Sequence, residues 1–141
     1  MSEVGLSRHW QLSGQRTDVS LVADQLEALV ADGALSPREG NALQLAIEEA
    51  LMNVITHGLE GVEAPLLSLA LHADAQQIEI RLRDNGPPFD PLTEASAPDL
   101  EAALEDRSIG GLGIHLLRQT MDDVSYRRAE DHNELRMVLR R

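Results

Sequence analysis

The sequence predicts a single α/β domain, because helix-like and strand-like patterns alternate along one short chain. Its 141 residues, 43% of them hydrophobic, are enough to bury one core but too few for two. Apolar residues recur at helical spacing in the first half, whereas polar and apolar residues alternate in short runs in the middle and near the end. We therefore expect one domain over residues 1–141.

The first elements are a short strand and an amphipathic helix. Residues 9–14 predict the strand, and residues 17–33 predict the helix. Thr17 or Asp18 is placed to cap the start of this helix, and Gly33 is placed to end it.

A second helix and a hairpin follow. Ser36 and Pro37 form a helix start signal, and the helical pattern continues to Gly58. The runs 66–72 and 77–83 alternate as strands do, and turn-forming residues separate them, so they predict a β-hairpin.

The last third contains a long loop, a helix and two strands. Residues 84–110 are rich in Pro, Asp, Ala and Ser, and only 99–106 suggest a short helix there. A loop of this length in one domain is typical of a functional segment. A helix over about 111–120 and strands at 123–128 and 133–140 complete the chain.

Composition excludes several classes of function. The net charge of −12 would repel a phosphate backbone, so we expect no direct binding to nucleic acid. No apolar run approaches the length of about 18 residues that spans a bilayer, and the N-terminal residues lack the apolar core of a signal peptide. The chain has no cysteine, which is compatible with a reducing compartment. We expect a cytoplasmic protein with no membrane segment.

The helix around residues 43–58 carries polar residues inside a mostly apolar run. At about 100° per residue, Glu49 and Asn53 lie one above the other on the flank of the apolar stripe, while Glu48 points to the other flank. Taken alone, these residues favour an ordinary solvated helix surface, since polar residues are common in helices.

Two further stretches carry residues suited to a nucleotide. Asp84 ends a strand just before Gly86 and two prolines, where its carboxylate could accept a hydrogen bond from a ligand amine. Gly110, Gly111 and Gly113 precede a helix, whose N-terminus and exposed backbone N–H groups favour an anion such as phosphate. Either stretch alone is also compatible with an ordinary turn.

The order and spacing of the three stretches are more specific than any one of them. EALMNVITHG, RDNGPPFDP and GGLGIHLLRQTMDDVSY resemble the N, G1 and G2 boxes of the GHKL (Bergerat-fold) ATP-binding superfamily. Within it they are most similar to the small anti-sigma-factor serine/threonine kinases of the RsbW and SpoIIAB type. The resemblance covers about residues 9–140. It implies a two-layer α/β sandwich, with a mixed, mostly antiparallel sheet covered on one face by helices.

The resemblance also implies roles for individual residues. Asn53 would coordinate the Mg²⁺ that bridges the ATP phosphates, and Glu49 would act as general base or orient the attacking hydroxyl. Asp84 would accept the adenine amino group, with Gly86 beneath the base. The sites that would hold the phosphates through backbone donors are Gly111, Leu112 and Gly113. Residues 90–109 would form the lid over the nucleotide, and this segment is strongly acidic.

Other phosphate-binding and metal-binding folds fit the sequence poorly. The chain has no lysine, which both P-loop proteins and eukaryotic-type protein kinases require at the phosphates. The histidines lack H-E-x-x-H spacing and cysteine partners, so we expect no structural metal site. Asp131, His132 and Asn133 stand where the family often shows a Gly-Asn pair, which leaves the geometry of that turn open.

The resemblance implies an ATP- and Mg²⁺-dependent serine/threonine kinase in a partner-switching system. Its substrate would be a STAS-domain anti-sigma antagonist, and the protein could also bind a sigma factor, as related kinases do in the form of homodimers. A non-catalytic adaptor that binds nucleotide and a protein partner is the alternative. A detached histidine-kinase ATPase domain fits less well, because no dimerisation helix with a phosphoacceptor histidine precedes the N box.

Overall fold

Five strands form one sheet in the computed structural model, which describes residues 5–94 and 117–141. In chain order they are β1 (Leu6–Leu12), β2 (Leu67–Ala73), β3 (Gln77–Asp84), β4 (Asp123–Ala129) and β5 (His132–Arg140). Their spatial order is β1-β2-β3-β5-β4, and each neighbouring pair is antiparallel. The predicted α/β fold and the predicted β2–β3 hairpin are confirmed.

The first strand lies earlier in the chain than residues 9–14, where the sequence predicted it. Leu6 pairs with Ala73 and Leu12 pairs with Leu67, so β1 matches the whole length of β2. Gly14 then adopts a φ of 82°, which ends the strand and turns the chain into the first helix.

Helix α1 spans Thr17–Ala31, but the predicted cap at Thr17 or Asp18 is wrong. The N-cap position is Arg16, and no side chain caps the helix. Asp18 is buried and accepts hydrogen bonds from the Ser13 backbone N–H (3.0 Å) and hydroxyl (2.7 Å). Its other oxygen accepts from the Gly14 N–H at 2.8 Å. The carboxylate therefore stabilises the β1–α1 turn, and this use competes with helix capping.

Helix α2 spans Pro37–Asn53 and starts as the sequence predicts. The Ser36 hydroxyl accepts from the Glu39 N–H at 3.1 Å, and the Glu39 carboxylate accepts from the Ser36 N–H at 2.9 Å. This reciprocal pair is a capping box, which stabilises the helix start. The predicted helical pattern to Gly58 continues as a π-helical turn over Val54–Gly58.

The core lies between the helices and one face of the sheet. Along β2 and β3 every second residue is buried, as expected for strands covered on one side. One cluster joins these strand residues to the apolar faces of α1 and α2, including Leu26, Leu43, Ile47, Leu69 and Ile80. The structure thus confirms the expected layer of helices on one face.

Charged side chains cover the opposite face of the sheet. The side chain of Glu134 is only 7% exposed and lies within 4 Å of three guanidinium groups, those of Arg81, Arg83 and Arg127. Glu79 bridges Arg81 and Arg136 in the same way. These pairs compensate the acids that the sheet partly buries.

The remaining described segments connect the sheet to the site. A short helix α3 spans Pro91–Glu94, where the sequence predicted only loop. Residues 117–120 are helical and Leu117 is fully buried, which matches the end of the helix predicted over 111–120. The helix suggested at 99–106 lies outside the described residues. In the part of the chain that is described, no helix is both long and apolar enough to cross a membrane.

Candidate nucleotide-binding site

Asn53 is the last residue of α2, and its side chain is buried at 3% exposure. Its side-chain N–H group donates to the Glu49 carbonyl oxygen at 2.9 Å, one helical turn earlier. This bond fixes the orientation of the amide. Within residues 5–94 and 117–141, the amide oxygen Oδ1 has no hydrogen-bond partner. A buried oxygen of this kind needs a ligand, a water or an ion.

The π-turn that follows Asn53 touches the loop after β3. A Cβ atom added to Gly86 would lie 2.1 Å from the carbonyl oxygen of Gly58, so only glycine fits at position 86. The rings of His57 and Phe89 lie with their centroids 6.3 Å apart across the same junction. Single π-turns occur often at functional sites. The structure therefore brings the first two sequence motifs together.

Asp84 ends β3 with a carboxylate that is 3% exposed. Its Oδ1 accepts from the Gly86 backbone N–H at 2.9 Å and from the Asn133 side-chain N–H at 3.0 Å. Oδ2 has no partner among the described residues. Burial raises the pKa of Asp84, and the donors from Asn133 and Gly86 limit that rise. One oxygen is thus held in place while the other remains available to a donor on a ligand.

The two adjacent glutamates of α2 have different surroundings, as the helix geometry predicted. Glu49 is half-buried, and its pKa is raised by burial and then by the negative charge of Glu48. Glu48 is exposed and lies beside Val19 and Ala23 of α1. A raised pKa keeps a carboxylate more basic, which suits a general base.

Gly111, Leu112 and Gly113 lie outside the described residues, as does most of the expected lid over 90–109. The structure therefore leaves their predicted role in phosphate binding as a prediction. Downstream of these glycines, Leu117 belongs to the core cluster. The Arg118 guanidinium donates to the Leu92 carbonyl at 3.2 Å, which ties this helix to α3.

Sequence reasoning missed the polar residues that support Asp84 from β4 and β5. The Asn133 amide contacts Asp84, Gly86 and Pro87, and the Arg128 guanidinium donates to the Gly86 carbonyl at 2.7 Å. The turn that the sequence left open is a two-residue connection in which Glu130 has a φ of 54°. It places Asn133 directly opposite Asp84 in the sheet.

The residues present fit a magnesium ion that is held mainly by a nucleotide. Among the described residues, no group of three or more His, Cys, Asp or Glu side chains could hold a metal by itself. Mg²⁺ in nucleotide sites uses few protein ligands together with phosphate oxygens and water. The Oδ1 atom of Asn53 is a neutral oxygen of the type this ion accepts.

The family of the chain follows from its similarity to known proteins. The family described as "Histidine kinase-like ATPase domain" matches residues 12–139. The chain belongs to this family. The resemblance to the GHKL superfamily and the predicted ATP-binding fold are therefore confirmed.

Two curated relatives of the chain are named as protein kinases. The chain is 31% identical over 113 residues to the serine/threonine-protein kinase BtrW of Bordetella bronchiseptica, covering 80% of this chain and 79% of that protein. It is also 31% identical over 117 residues to the serine-protein kinase RsbW of Listeria innocua, covering 81% of this chain and 74% of that protein. These relatives confirm the predicted enzyme class, an ATP-dependent protein serine/threonine kinase.

A solved structure supports the fold independently. The RsbU and RsbW domains of Rv1364c from Mycobacterium tuberculosis superpose on 96% of this chain with a TM-score of 0.67. The sequence identity is 12%, so this likeness concerns the fold alone. This chain spans 32% of that longer protein.

Proposed function

We propose that this protein is the kinase of a partner-switching system, which transfers the γ-phosphate of ATP to a serine or threonine of a STAS-domain anti-sigma antagonist. One observation carries the site assignment. Two buried acceptor atoms, Oδ1 of Asn53 and Oδ2 of Asp84, lack partners within the described chain and belong to segments that touch at Gly58 and Gly86. Buried polar atoms are seldom left unpaired, so a ligand between these segments accounts for both.

Each acceptor suits a different part of Mg-ATP. Asp84 would accept a hydrogen bond from the adenine amino group through Oδ2, and Gly86 would let the base approach the backbone. Asn53 would bind Mg²⁺ through Oδ1. The ion, when bound, neutralises phosphate charge and orients the γ-phosphate. Gly111, Leu112 and Gly113 would donate backbone N–H groups to the phosphates at the start of the following helix.

Glu49 would assist the transfer itself. It lies one helical turn before Asn53 on the same flank of α2, so its carboxylate would face the phosphate end of the nucleotide. As the hydroxyl oxygen of the substrate forms a bond to phosphorus, its proton passes to Glu49, and the bond between the γ-phosphorus and the bridging oxygen breaks to release ADP. A raised pKa makes this carboxylate a better proton acceptor.

The wider biological setting is part of the same proposal. The family resemblance is compatible with sigma-factor binding by a homodimer, and the sequence itself favours a cytoplasmic protein that has no direct contact with nucleic acid. The acidic net charge of −12 supports the last point. The second candidate is the adaptor, which binds nucleotide and a protein partner without phosphotransfer. In either case we expect low ATP affinity, because the segment 90–109 carries many acids and only Arg107 to meet phosphate charge.

Transfer of labelled phosphate tests the proposal. The protein is incubated with γ-labelled Mg-ATP and each STAS protein of the same genome, and the label is followed by electrophoresis. We expect label on at least one STAS protein, at a serine or threonine, and much less with the Glu49→Gln variant. ATP binding without label on any STAS protein would contradict the kinase proposal and favour the adaptor.

A further inference from the structure

The side chain of Asn133 makes hydrogen bonds to several segments of the candidate site, although the proposed function assigns it no role. It is the second residue of β5, its side chain is 3% exposed, and it lies opposite Asp84 in the β3–β5 register. Its side-chain N–H group donates to Asp84 Oδ1 at 3.0 Å and to the Pro87 carbonyl at 2.9 Å. A longer contact of 3.3 Å reaches the Gly86 carbonyl.

The amide oxygen of Asn133 is also fully used. It accepts from the Phe89 backbone N–H at 3.2 Å and from the Tyr126 hydroxyl. Burial raises the pKa of Tyr126, so its phenol stays protonated and remains a donor. These two donors fix which end of the amide faces Asp84, because the oxygen must point toward Phe89 and Tyr126 and the N–H group toward the carboxylate.

This arrangement makes the two oxygens of the Asp84 carboxylate inequivalent. A carboxylate rotates easily about its last torsion, because that torsion has only broad preferences. Two donors on Oδ1, from Asn133 and Gly86, stop this rotation. Oδ2 is then held in a single direction with no donor from the described residues.

We propose that Asn133 is a positioning residue, which orients the Asp84 carboxylate so that Oδ2 meets an amino group of the nucleotide base and thereby selects adenine over guanine. The proposal rests on the nucleotide site proposed above. At the corresponding edge guanine presents a carbonyl oxygen, and a carboxylate oxygen fixed in this direction repels it. Without Asn133 the carboxylate can rotate or become protonated, and either change weakens the discrimination.

Several groups besides Asn133 influence the ionisation of Asp84. The charges of Arg128 and His132 favour its ionised form, and the Gly86 N–H does so by hydrogen bonding. The Arg128 guanidinium also donates to the Gly86 carbonyl, and this hydrogen bond should keep Arg128 in place when Asn133 is substituted. A change in the pKa of Asp84 in the Asn133→Ala variant therefore reports the lost amide donor, whereas Asn133→Asp adds the effect of a like charge.

Asn85 offers a matched control. It lies in the loop after β3 and, like Asn133, uses both ends of its amide, donating to the Ala64 carbonyl at 3.0 Å and accepting from the Leu66 N–H at 2.8 Å. It lies next to Asp84 in the sequence, but its bonds hold the start of β2 rather than the carboxylate. Asn→Asp at either position keeps the acceptor, removes the donor and adds one negative charge.

The test compares Asn133→Asp with Asn85→Asp, and Asn133→Ala removes the donor without adding charge. Carboxyl NMR titration of the ligand-free protein gives the pKa of Asp84, and calorimetry gives the affinities for ATP and GTP. We expect both Asn133 variants to raise the pKa of Asp84, lower ATP affinity about tenfold or more, and narrow the preference for ATP over GTP. Asn85→Asp should change the pKa less and keep the preference for ATP.

The two measurements separate this proposal from the nucleotide site itself. If the unmodified protein bound neither nucleotide, the proposed function would fail, while the titration would still show whether Asn133 orients Asp84. If the Asn133 and Asn85 variants lost stability alike and left both the pKa of Asp84 and the ATP preference unchanged, Asn133 would be only a structural residue and the proposal would be wrong.

Discussion

The same substitution at the two adjacent glutamates of α2 should have a large effect on phosphotransfer at Glu49 and a small one at Glu48. Glu49 is half-buried on the Asn53 flank, whereas Glu48 is exposed beside α1. Glu49→Gln keeps the size and hydrogen bonding of the side chain but removes the basic carboxylate. We expect phosphotransfer to fall by about 10² or more, the usual scale for loss of general-base assistance. Nucleotide affinity should stay within a few fold, since Glu49 is not assigned a contact with ATP.

The pH dependence follows from the surroundings of Glu49. A general base acts only when it is ionised, so the rate should rise with pH through the pKa of Glu49. Burial and the charge of Glu48 both raise this pKa, which places the acid limb of the profile above the ordinary range of a glutamate. Glu48→Gln removes one like charge, so the limb should move to lower pH while the rate at higher pH stays unchanged. Glu49→Gln should abolish the limb.

Initial rates of label transfer, measured at saturating Mg-ATP across the acid and neutral range, test both expectations. Loss of transfer in the Glu48 variant with normal transfer in the Glu49 variant would mean that the roles of the two residues are exchanged. Full activity in both variants would show that α2 holds no catalytic base, and the mechanism proposed for this kinase would fail.

The remaining predictions concern the scaffold. Gly86→Ala places a Cβ atom 2.1 Å from the Gly58 carbonyl, a backbone atom that cannot easily move, so urea unfolding should show a loss of about 1–3 kcal/mol together with weaker ATP binding. Gly58→Ala is the control, since its Cβ would meet side-chain atoms of Val54 and Phe89 at 3.5 Å and 3.7 Å, which are ordinary packing distances; an equal loss in both variants would contradict the packing argument. Ser36→Ala removes the capping box and should cost about 0.5–2 kcal/mol in the same assay without changing ATP affinity. An unchanged urea midpoint would show that the cap contributes nothing.

Local signals in the sequence predicted most of the elements. The start of α2 was readable because Ser36, Pro37 and Glu39 are close in the chain and make the capping box themselves. The β2–β3 hairpin was readable from alternation on either side of a short turn. At Asp18 local reasoning failed, because the same side chain can cap a helix or bind the preceding turn, and the structure uses the second option.

The candidate site depended on relationships that sequence alone does not contain. Asn133 lies 49 positions after Asp84 along the chain, and only the register of β3 with β5 makes them partners. The π-turn after Asn53 has no sequence signature, yet it carries the Gly58 carbonyl against Gly86. The spacing of the motifs therefore identified Asn53 and Asp84, but it could not identify the residues that hold them in position.

Calorimetric titration with ATP, in Mg²⁺ and in EDTA, tests most directly the claim that the end of α2 and the end of β3 form the two halves of one Mg-nucleotide site. Asp84→Ala removes the buried acceptor for the base and should lower ATP affinity about ten- to a hundredfold in both conditions. Asn53→Ala removes the metal ligand and should lower affinity far more in Mg²⁺ than in EDTA. If folded Asp84→Ala protein bound ATP as tightly as the unmodified protein, or if Asn53→Ala lost affinity equally in both conditions, the site would not be where we have assigned it.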